Sequence, residues 1–484
     1  MNESQIVATF RATARKFADR AAVIGPYETM TYGQLERRAA AAAREIARRV
    51  PGHTVAMLHS NAPSYVPLFL GALWAGKSVA VLPTLAPSPL LQWMTAEAGA
   101  GFVLASEEFI PRLMDAGVPC WMDETHAEAD PDSVPMAAMS NPYAMLLYTS
   151  GTTGRPKAVM LSERNILSNV EGCIQATGFD SEQVMLAILP LFHAYGKTVT
   201  LMLPLSTGST VVIPEKFSPR AILQTIERRK VTCLVAVPGQ YRLLTKDPTE
   251  VDASSLWLCI AGAERLPEQI SQQFEARFGC PLLQGYGTTE NSPVISLNPS
   301  SRNKPFSIGK PLPNLKVSVR DEAGNVLPCG EVGELCVEGD AVMLGYLNDA
   351  EATAKKLQGG VLHTGDKGCF DADGYLCLAG RADDLIKISG EKVYPAEVES
   401  TLEQIPGIEE AAVLALPDEK HGARLHAFIS LYPEARLSEN ELRSACRERL
   451  EAYKIPRGFT IIEQMPRTQS GKTDRRALAA AVSE

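Results

Sequence analysis

The sequence predicts an α/β protein: a large N-terminal domain of mainly parallel sheets and helices with a small β subdomain, followed by a mobile, small α+β C-terminal lid domain. Three observations carry this reading. At 484 residues the chain is longer than one hydrophobic core ordinarily serves. Short apolar runs alternate with helical stretches up to about residue 300, the pattern of parallel strands buried on both faces. Beyond about 305 the texture changes twice, first to alternating strands with Asp, Gly and Asn turns, then from about 384 to a compact α+β segment.

Taken in chain order, "MTYGQLERRAAAAAREIARRV" is a run of strong helix formers with Leu35, Ala39 and Ile46 on one side. The runs "TVAMLH", "SVAVLP", "GFVLAS", "YAMLLYTS", "KAVMLS", "STVVIP", "VTCLVAVP" and "LWLCIAG" follow as strands. "NLKVSVRDEAGNVLPCGEVGELCVEGD" reads as antiparallel strands, and "EAAVLALP" and "RLHAFISLY" as strands of the last segment. A helix opens there at Ser438, with Glu441 completing a capping box. The linker falls in "GRADDLIKISG", which divides the chain into residues 1–382 and 383–484.

Composition narrows the functional classes. With 45% apolar and 21% charged residues the chain has enough apolar surface to pack, and no stretch reaches the roughly 18 uninterrupted apolar residues of a membrane span. "MNESQIVATFRATARKF" lacks a basic start followed by an apolar block, so the expectation is a cytoplasmic protein, monomer or homodimer. A net charge of -9 with no long basic run argues against nucleic acid. The ten cysteines show neither C-x-x-C nor Cys/His spacing suited to a metal, and are expected to be reduced thiols.

Chemistry concentrates first in "YTSGTTGRPKAV". A strand ending at Tyr148 and a second beginning near Lys157 enclose Thr149, Ser150, Gly151, Thr152, Thr153 and Gly154. The glycines let successive backbone N–H groups aim at one point, the hydroxyls add donors, and Lys157 supplies a mobile countercharge, so a polyphosphate is the natural guest. A P-loop NTPase would need G-x-x-x-x-G-K-[ST] running into a helix; here Pro156 precedes the lysine and a strand follows. An unliganded Ser/Gly turn also fits this stretch taken alone.

Other stretches bear on that alternative. "GYGTTE" sets Gly285, Tyr286, Gly287, Thr288, Thr289 and Glu290 in a permissive turn, with an aromatic face to stack a base and a carboxylate suited to Mg²⁺. "HTGD" places Asp366 where it could meet sugar hydroxyls, and "GRADD" offers Arg381 for the same sugar or its phosphate, then two carboxylates at the suspected hinge. "PRTQSGKTDRRAL" holds Lys472 on a Ser/Gly turn of the small domain.

In this order, with "LPLFHAYG" and "GRADDLIKISGEKVYPAEVE", these stretches make the whole chain resemble the AMP-forming acyl-adenylate ligase superfamily. That superfamily includes acyl-CoA synthetases, firefly-type luciferases and adenylation domains of nonribosomal peptide synthetases. The resemblance implies two half-reactions, using ATP, Mg²⁺ and coenzyme A: a carboxylate attacks the α-phosphate to give acyl-AMP and pyrophosphate, and a thiol then displaces AMP. By that resemblance the 149–154 loop and Lys157 grip the β and γ phosphates, Glu290 holds Mg²⁺ and Thr289 touches the α-phosphate. Tyr286 and the backbone of Gly262, Ala263 and Glu264 line the adenine slot, while Asp366 and Arg381 bind the ribose. Lys472 bridges the carboxylate and the α-phosphate, the lid turns about Asp383, and Lys387, Ser389 and Gly390 line the thiol tunnel.

His193 stands where amino-acid-activating relatives carry an aspartate for the α-ammonium, so the resemblance points to a fatty or aryl acid. The acyl pocket is expected to combine His193 with Val237, Tyr241 and Val294, each buried methylene contributing about 0.8 kcal/mol. For the acceptor, coenzyme A comes first and the phosphopantetheine of an acyl carrier protein second. A non-catalytic nucleotide-binding protein on the same fold is the remote alternative.

Overall fold

The computed structural model describes residues 3–121, 127–149, 156–381, 386–388, 391–418, 422–467 and 473–481. Two large sheets form the body. In the seven-stranded sheet the strands Met145–Thr149, Ser78–Val81, Thr54–Leu58, Val103–Ala105 and Cys120–Trp121 run parallel, and Lys157–Leu161 and Gly345–Tyr346 add antiparallel at one edge. In the nine-stranded sheet Leu282–Gly287, Leu258–Ala261, Cys233–Ala236, Val184–Leu186, Thr210–Val212 and Ala21–Ile24 are parallel, with antiparallel edge strands on both sides. The central strands Thr54–Leu58, Ser78–Val81, Cys233–Ala236 and Leu258–Ala261 are short, mostly apolar and buried throughout, as expected where helices cover both faces.

One core joins the two sheets. Val55 and Met145 of the first and Met185 and Val211 of the second meet the helices Tyr32–Arg49 and Tyr65–Trp74 in a single cluster. The alanine run explains the intimacy of that packing. Residues Ala39 to Ala43 are all buried, not only the expected face, because the second helix closes on them at Gly71, where a Cβ would lie 2.7 Å from the Ala42 methyl. Small residues thus bring two helix backbones together, and the large side chains around them each gain roughly 1.5–3 kcal/mol from burial.

After the second sheet a five-stranded antiparallel sheet is built from Lys316–Arg320, Gly333–Glu338, Val361–Phe370, Leu357–Gln358 and Leu376–Arg381. The hairpin Ile386–Ile388 with Glu391–Val393 follows. A three-stranded sheet of Ile408–Asp418, Gly422–Leu431 and Gly458–Ile461 then packs with the helices Pro395–Glu403 and Glu439–Arg447. Val398, Leu402, Val413, Leu425, Ile429, Leu442 and Cys446 give this last segment a core of its own. Ser438 and Glu441 form the expected capping box. Among the described residues no helix is long and apolar enough to cross a membrane.

Several of the stretches singled out in the sequence share one placement. The segments after Met145–Thr149, Val184–Leu186, Cys233–Ala236, Leu258–Ala261 and Leu282–Gly287 all leave the carboxyl ends of parallel strands. Asn61 ties the two sheets together at this edge, donating to the Leu189 carbonyl at 2.7 Å and accepting from the Leu191 N–H at 2.9 Å. Crevices at carboxyl strand ends are where open α/β sheets bind ligands.

Candidate functional site

The hydroxyl- and glycine-rich stretch links two strands of a hairpin, Met145–Thr149 and Lys157–Leu161, with Thr149 opposite Lys157. Ser162 then caps the helix Glu163–Thr177 through a capping box with Asn165. Residues Ser150, Gly151, Thr152, Thr153 and Gly154 lie outside the described residues.

The lysine that closes the hairpin is connected to the expected metal carboxylate through one tyrosine. Lys157 Nζ sits 5.1 Å from the centre of the Tyr346 ring and 4.0 Å from an Asp349 oxygen. The Tyr346 hydroxyl donates to Glu290 Oε1 at 2.7 Å, and the Glu290 carbonyl accepts from the Met343 N–H at 2.8 Å. Cation, aromatic ring and carboxylate form a chain beside a cavity of about 440 Å³, lined in part by Lys157, Asp349 and Lys356. Such a set offers both charges that a metal-bound polyphosphate requires.

"GYGTTE" forms the end of the strand Leu282–Gly287 and the turn after it. Gly287 cannot carry a side chain, since a Cβ there would fall 2.1 Å from the Pro293 carbonyl oxygen. That close approach shapes the turn carrying Thr288 and Thr289 before Glu290, and Thr288 Oγ1 is buried with no hydrogen-bond partner among the described residues. An orphaned hydroxyl at this point fits a phosphate oxygen as its missing partner. Gly285 is less confined, a Cβ there meeting the Ile260 side chain at 3.3 Å.

Tyr286 and Asp366 belong together. The Tyr286 hydroxyl donates to Asp366 Oδ2 at 2.5 Å, Asp366 is 8% exposed, and its N–H donates to Thr364 Oγ1 at 3.0 Å. Asp366 lies within the strand Val361–Phe370 and pairs in register with Arg381. The Gly262 N–H donates to the Ala236 carbonyl at 3.1 Å, and a Cβ on Gly262 would meet the Tyr195 ring at 2.7 Å. Ala263 follows at φ 68°, a left-handed conformation unusual for alanine, immediately before Glu264.

His193 caps the helix Ala194–Lys197 and stands exposed beside the Phe192 ring, at 4.4 Å between ring centres. It faces a cleft of about 710 Å³ whose apolar wall is Leu85, Phe109, Ile188, Pro190 and Phe192. Asp474 of the C-terminal segment closes one side of the cleft, its carboxylate engaged with the N–H groups of Arg476 and Ala477.

The expected acyl-pocket set is corrected here. Tyr241 is fully buried in the core beneath the nine-stranded sheet, edge-on to Phe274, with its hydroxyl 2.6 Å from the Leu234 carbonyl. The helix Pro238–Lys246 turns this side chain into the second core, so Tyr241 holds the helix down rather than lining a ligand cavity. Val237 and Val294 pack on the main core. The cleft wall instead comes from the segments around residues 85 and 109, whose short apolar runs carry no motif, and from Ile188, Pro190 and Phe192 in and beside the "LPLFHAYG" stretch.

Sequence reasoning also passed over Lys197, four residues after His193. It is fully buried, its amine 3.8 Å from the Tyr65 ring centre and 4.1 Å from that of Phe69, with no hydrogen-bond partner among the described residues. Burial holds its pKa well below the ordinary lysine value. Asp383, Ser389, Gly390 and Lys472 lie outside the described residues, and Lys387 is described only through its backbone pairing with Lys392.

Known proteins resemble the chain along its whole length. The sequence profile of the AMP-binding enzyme family matches residues 10–347, and that of the AMP-binding enzyme C-terminal domain matches residues 397–472. A long-chain-fatty-acid–CoA ligase of Bacillus subtilis (strain 168) is 36% identical over 359 residues, a match covering 73% of this chain and 64% of that relative. A feruloyl-CoA synthase of Amycolatopsis sp is 33% identical over 455 residues, 92% of each chain. Among solved structures, an anthranilate CoA ligase in complex with anthranoyl-AMP superposes with a TM-score of 0.87 at 28% identity, covering 99% of this chain and 97% of that one.

Proposed function

We propose that this chain, which belongs to the AMP-binding enzyme family and is an AMP-forming acid–thiol ligase, activates a fatty or aryl carboxylic acid and passes it to coenzyme A. The observation that supports the assignment of the site is the chain Lys157–Tyr346–Glu290, with the buried Thr288 hydroxyl two residues before Glu290 and Tyr286 bonded to Asp366, whose backbone pairs with that of Arg381.

In the first half-reaction a carboxylate oxygen of the acid attacks the α-phosphorus of ATP, the bond to the bridging oxygen breaks, and pyrophosphate leaves. Two anions must approach, so the chain's work is neutralisation and alignment. Lys157 and the 149–154 loop take the β and γ phosphates. Thr288 and Thr289 meet the α-phosphate, and Asp366 with Arg381 fixes the ribose. Gly262 and Ala263 offer backbone groups beside Tyr286 to the adenine. Mg²⁺ suits the Glu290 carboxylate and, when bound, neutralises phosphate charge. Lys472, on the lid formed by residues 383–484, bridges the acid and the α-phosphate.

In the second half-reaction the thiol sulfur of coenzyme A attacks the acyl carbonyl, the bond to the AMP oxygen breaks and the thiol proton passes to solvent. The lid turns about Asp383 between the two, withdrawing Lys472 and presenting Lys387, Ser389 and Gly390 to the thiol. An acid without an α-ammonium is in keeping with the cleft: among the described residues lining it Asp474 is the acidic one, and it is spent on capping its own helix.

A panel of fatty and aryl acids assayed for pyrophosphate release, then for AMP release with coenzyme A against a carrier protein, tests the assignment. Lys472→Ala should abolish acyl-AMP formation and leave thioester formation from supplied acyl-AMP within about threefold. Equal loss in both steps removes the role given to Lys472.

A further inference from the structure

The lid meets the N-terminal body through a charged junction that none of the roles above uses. Arg242 and Lys246, one turn apart on the helix Pro238–Lys246, face Glu410 and Glu409 at the start of the lid strand Ile408–Asp418. Arg242 Nη1 donates to Glu410 Oε2 at 2.9 Å, and Lys246 Nζ donates to Glu409 Oε1 at 2.5 Å. From inside the lid, Arg467 Nη2 lies 2.6 and 2.7 Å from the two oxygens of the same Glu410. The three side chains are largely withdrawn from water, at 16%, 10% and 28% exposure for Arg242, Glu410 and Arg467.

Arg467 is also one side of a neck. It bridges Thr473 in antiparallel fashion, Arg467 Nη1 reaches Thr473 Oγ1 at 3.3 Å, and the Asp474 N–H donates to the Pro466 carbonyl at 2.8 Å. Asp474, directly beyond the neck, lines the His193 cleft. The residues enclosed between Arg467 and Thr473 in sequence include Lys472. One carboxylate therefore ties the helix that follows Val237 to the neck of the lysine-bearing segment.

The bifurcated arrangement is suited to opening. A buried carboxylate that loses its only partner pays a large desolvation cost, which would make lid departure slow. Glu410 keeps Arg467 when the lid leaves, and Arg242 gains water, so neither is stranded. We infer that Glu410 is a positioning residue for acyl-AMP formation: through Arg242 on one side and Arg467 on the other it holds the lid in register for the first half-reaction and plays no part in the second. This rests on the two-step reading above.

Glu410→Gln, which keeps the shape and removes the charge, should lower the single-turnover rate of pyrophosphate release at least tenfold. Thioester formation from supplied acyl-AMP should stay within twofold. Arg242→Met, which severs only the body side and leaves the lid's own Glu410–Arg467 pair, should show the same split, and the double variant should be no slower than Glu410→Gln. Equal loss in both half-reactions, or no loss in either, overturns the proposal. Should no acid release pyrophosphate from the wild-type protein, the two-step reading fails by itself. The junction is then tested by the distance between labels at the exposed positions Val332 and Ile461. A broader distribution in Glu410→Gln supports it, and an unchanged one overturns it.

Discussion

Replacing Tyr346 by Phe isolates one hydrogen bond in the charged chain of the site. The hydroxyl donates to Glu290 Oε1 at 2.7 Å, and the residue is 5% exposed, so water has little access to take its place. The ring survives the substitution and keeps the Lys157 amine above it. What is lost is a charge-assisted bond worth about 1.5–3 kcal/mol net, together with the orientation it imposes on the carboxylate. At about 1.4 kcal/mol per decade this corresponds to a weakening of roughly 10- to 100-fold in whatever Glu290 binds. If that guest is Mg²⁺, pyrophosphate release titrated with Mg²⁺ at fixed ATP should half-saturate at least tenfold higher in the variant. The rate at saturating Mg²⁺ should return to within about threefold. A variant whose Mg²⁺ dependence matches the wild type would show that Glu290 is not the metal carboxylate.

Tyr286→Phe removes the O–H donated to Asp366 and should raise KM for ATP by roughly 5- to 13-fold with kcat changed less, as expected for about 1–1.5 kcal/mol of hydrogen bond; an unchanged KM detaches Asp366 from the nucleotide. Lys197→Met replaces an amine that is buried with no hydrogen-bond partner among the described residues by an apolar chain of similar length, and chemical denaturation should find the variant about 1–3 kcal/mol more stable; a loss of stability would mean that the contact of the amine with the two aromatic rings outweighs its burial. Burial pushes the Glu403 carboxyl up to about 7 from an ordinary 4.5, with Arg265 Nη1 3.4 Å away opposing the rise. Because the folded state then binds this proton more tightly than the unfolded one, the group's contribution to stability is full below about pH 4.5 and lost as pH rises to about 7, in total about 3 kcal/mol. Melting curves of the wild type minus those of Glu403→Gln should therefore fall between pH 5 and 8, and a flat difference contradicts the assignment.

The legible parts of this molecule are those whose chemistry is local in sequence. The hairpin around residues 149–157 follows from two apolar runs and a turn between them, and its strand-to-strand setting already separated it from a P-loop. Asp366 and Arg381 were expected at one sugar, and they stand opposite each other on adjacent strands. Tyr241 was misplaced because a helix beginning at Pro238 has two faces, and only the position of the second core decides which one meets ligand. Lys197 escaped notice since a lysine in a motif reads as a surface group, whereas here two aromatic rings of the helix Tyr65–Trp74 enclose it. The pairing of Arg242 with Glu410 joins residues 168 apart, and no local pattern announces it. The alanine run likewise gives its helix but not its burial on all sides, which depends on Gly71 arriving from a different element.

The central claim is that one site makes an acyl-adenylate first and a thioester second, and the products of a single turnover test it most directly. Enzyme in excess over radiolabelled ATP, given a competent acid and Mg²⁺ but no thiol, should yield one pyrophosphate and one enzyme-bound acyl-AMP per ATP. AMP and acyl-CoA should appear only after coenzyme A is added. Formation of ADP and phosphate, or pyrophosphate release with no acyl-AMP to be trapped, would contradict the account.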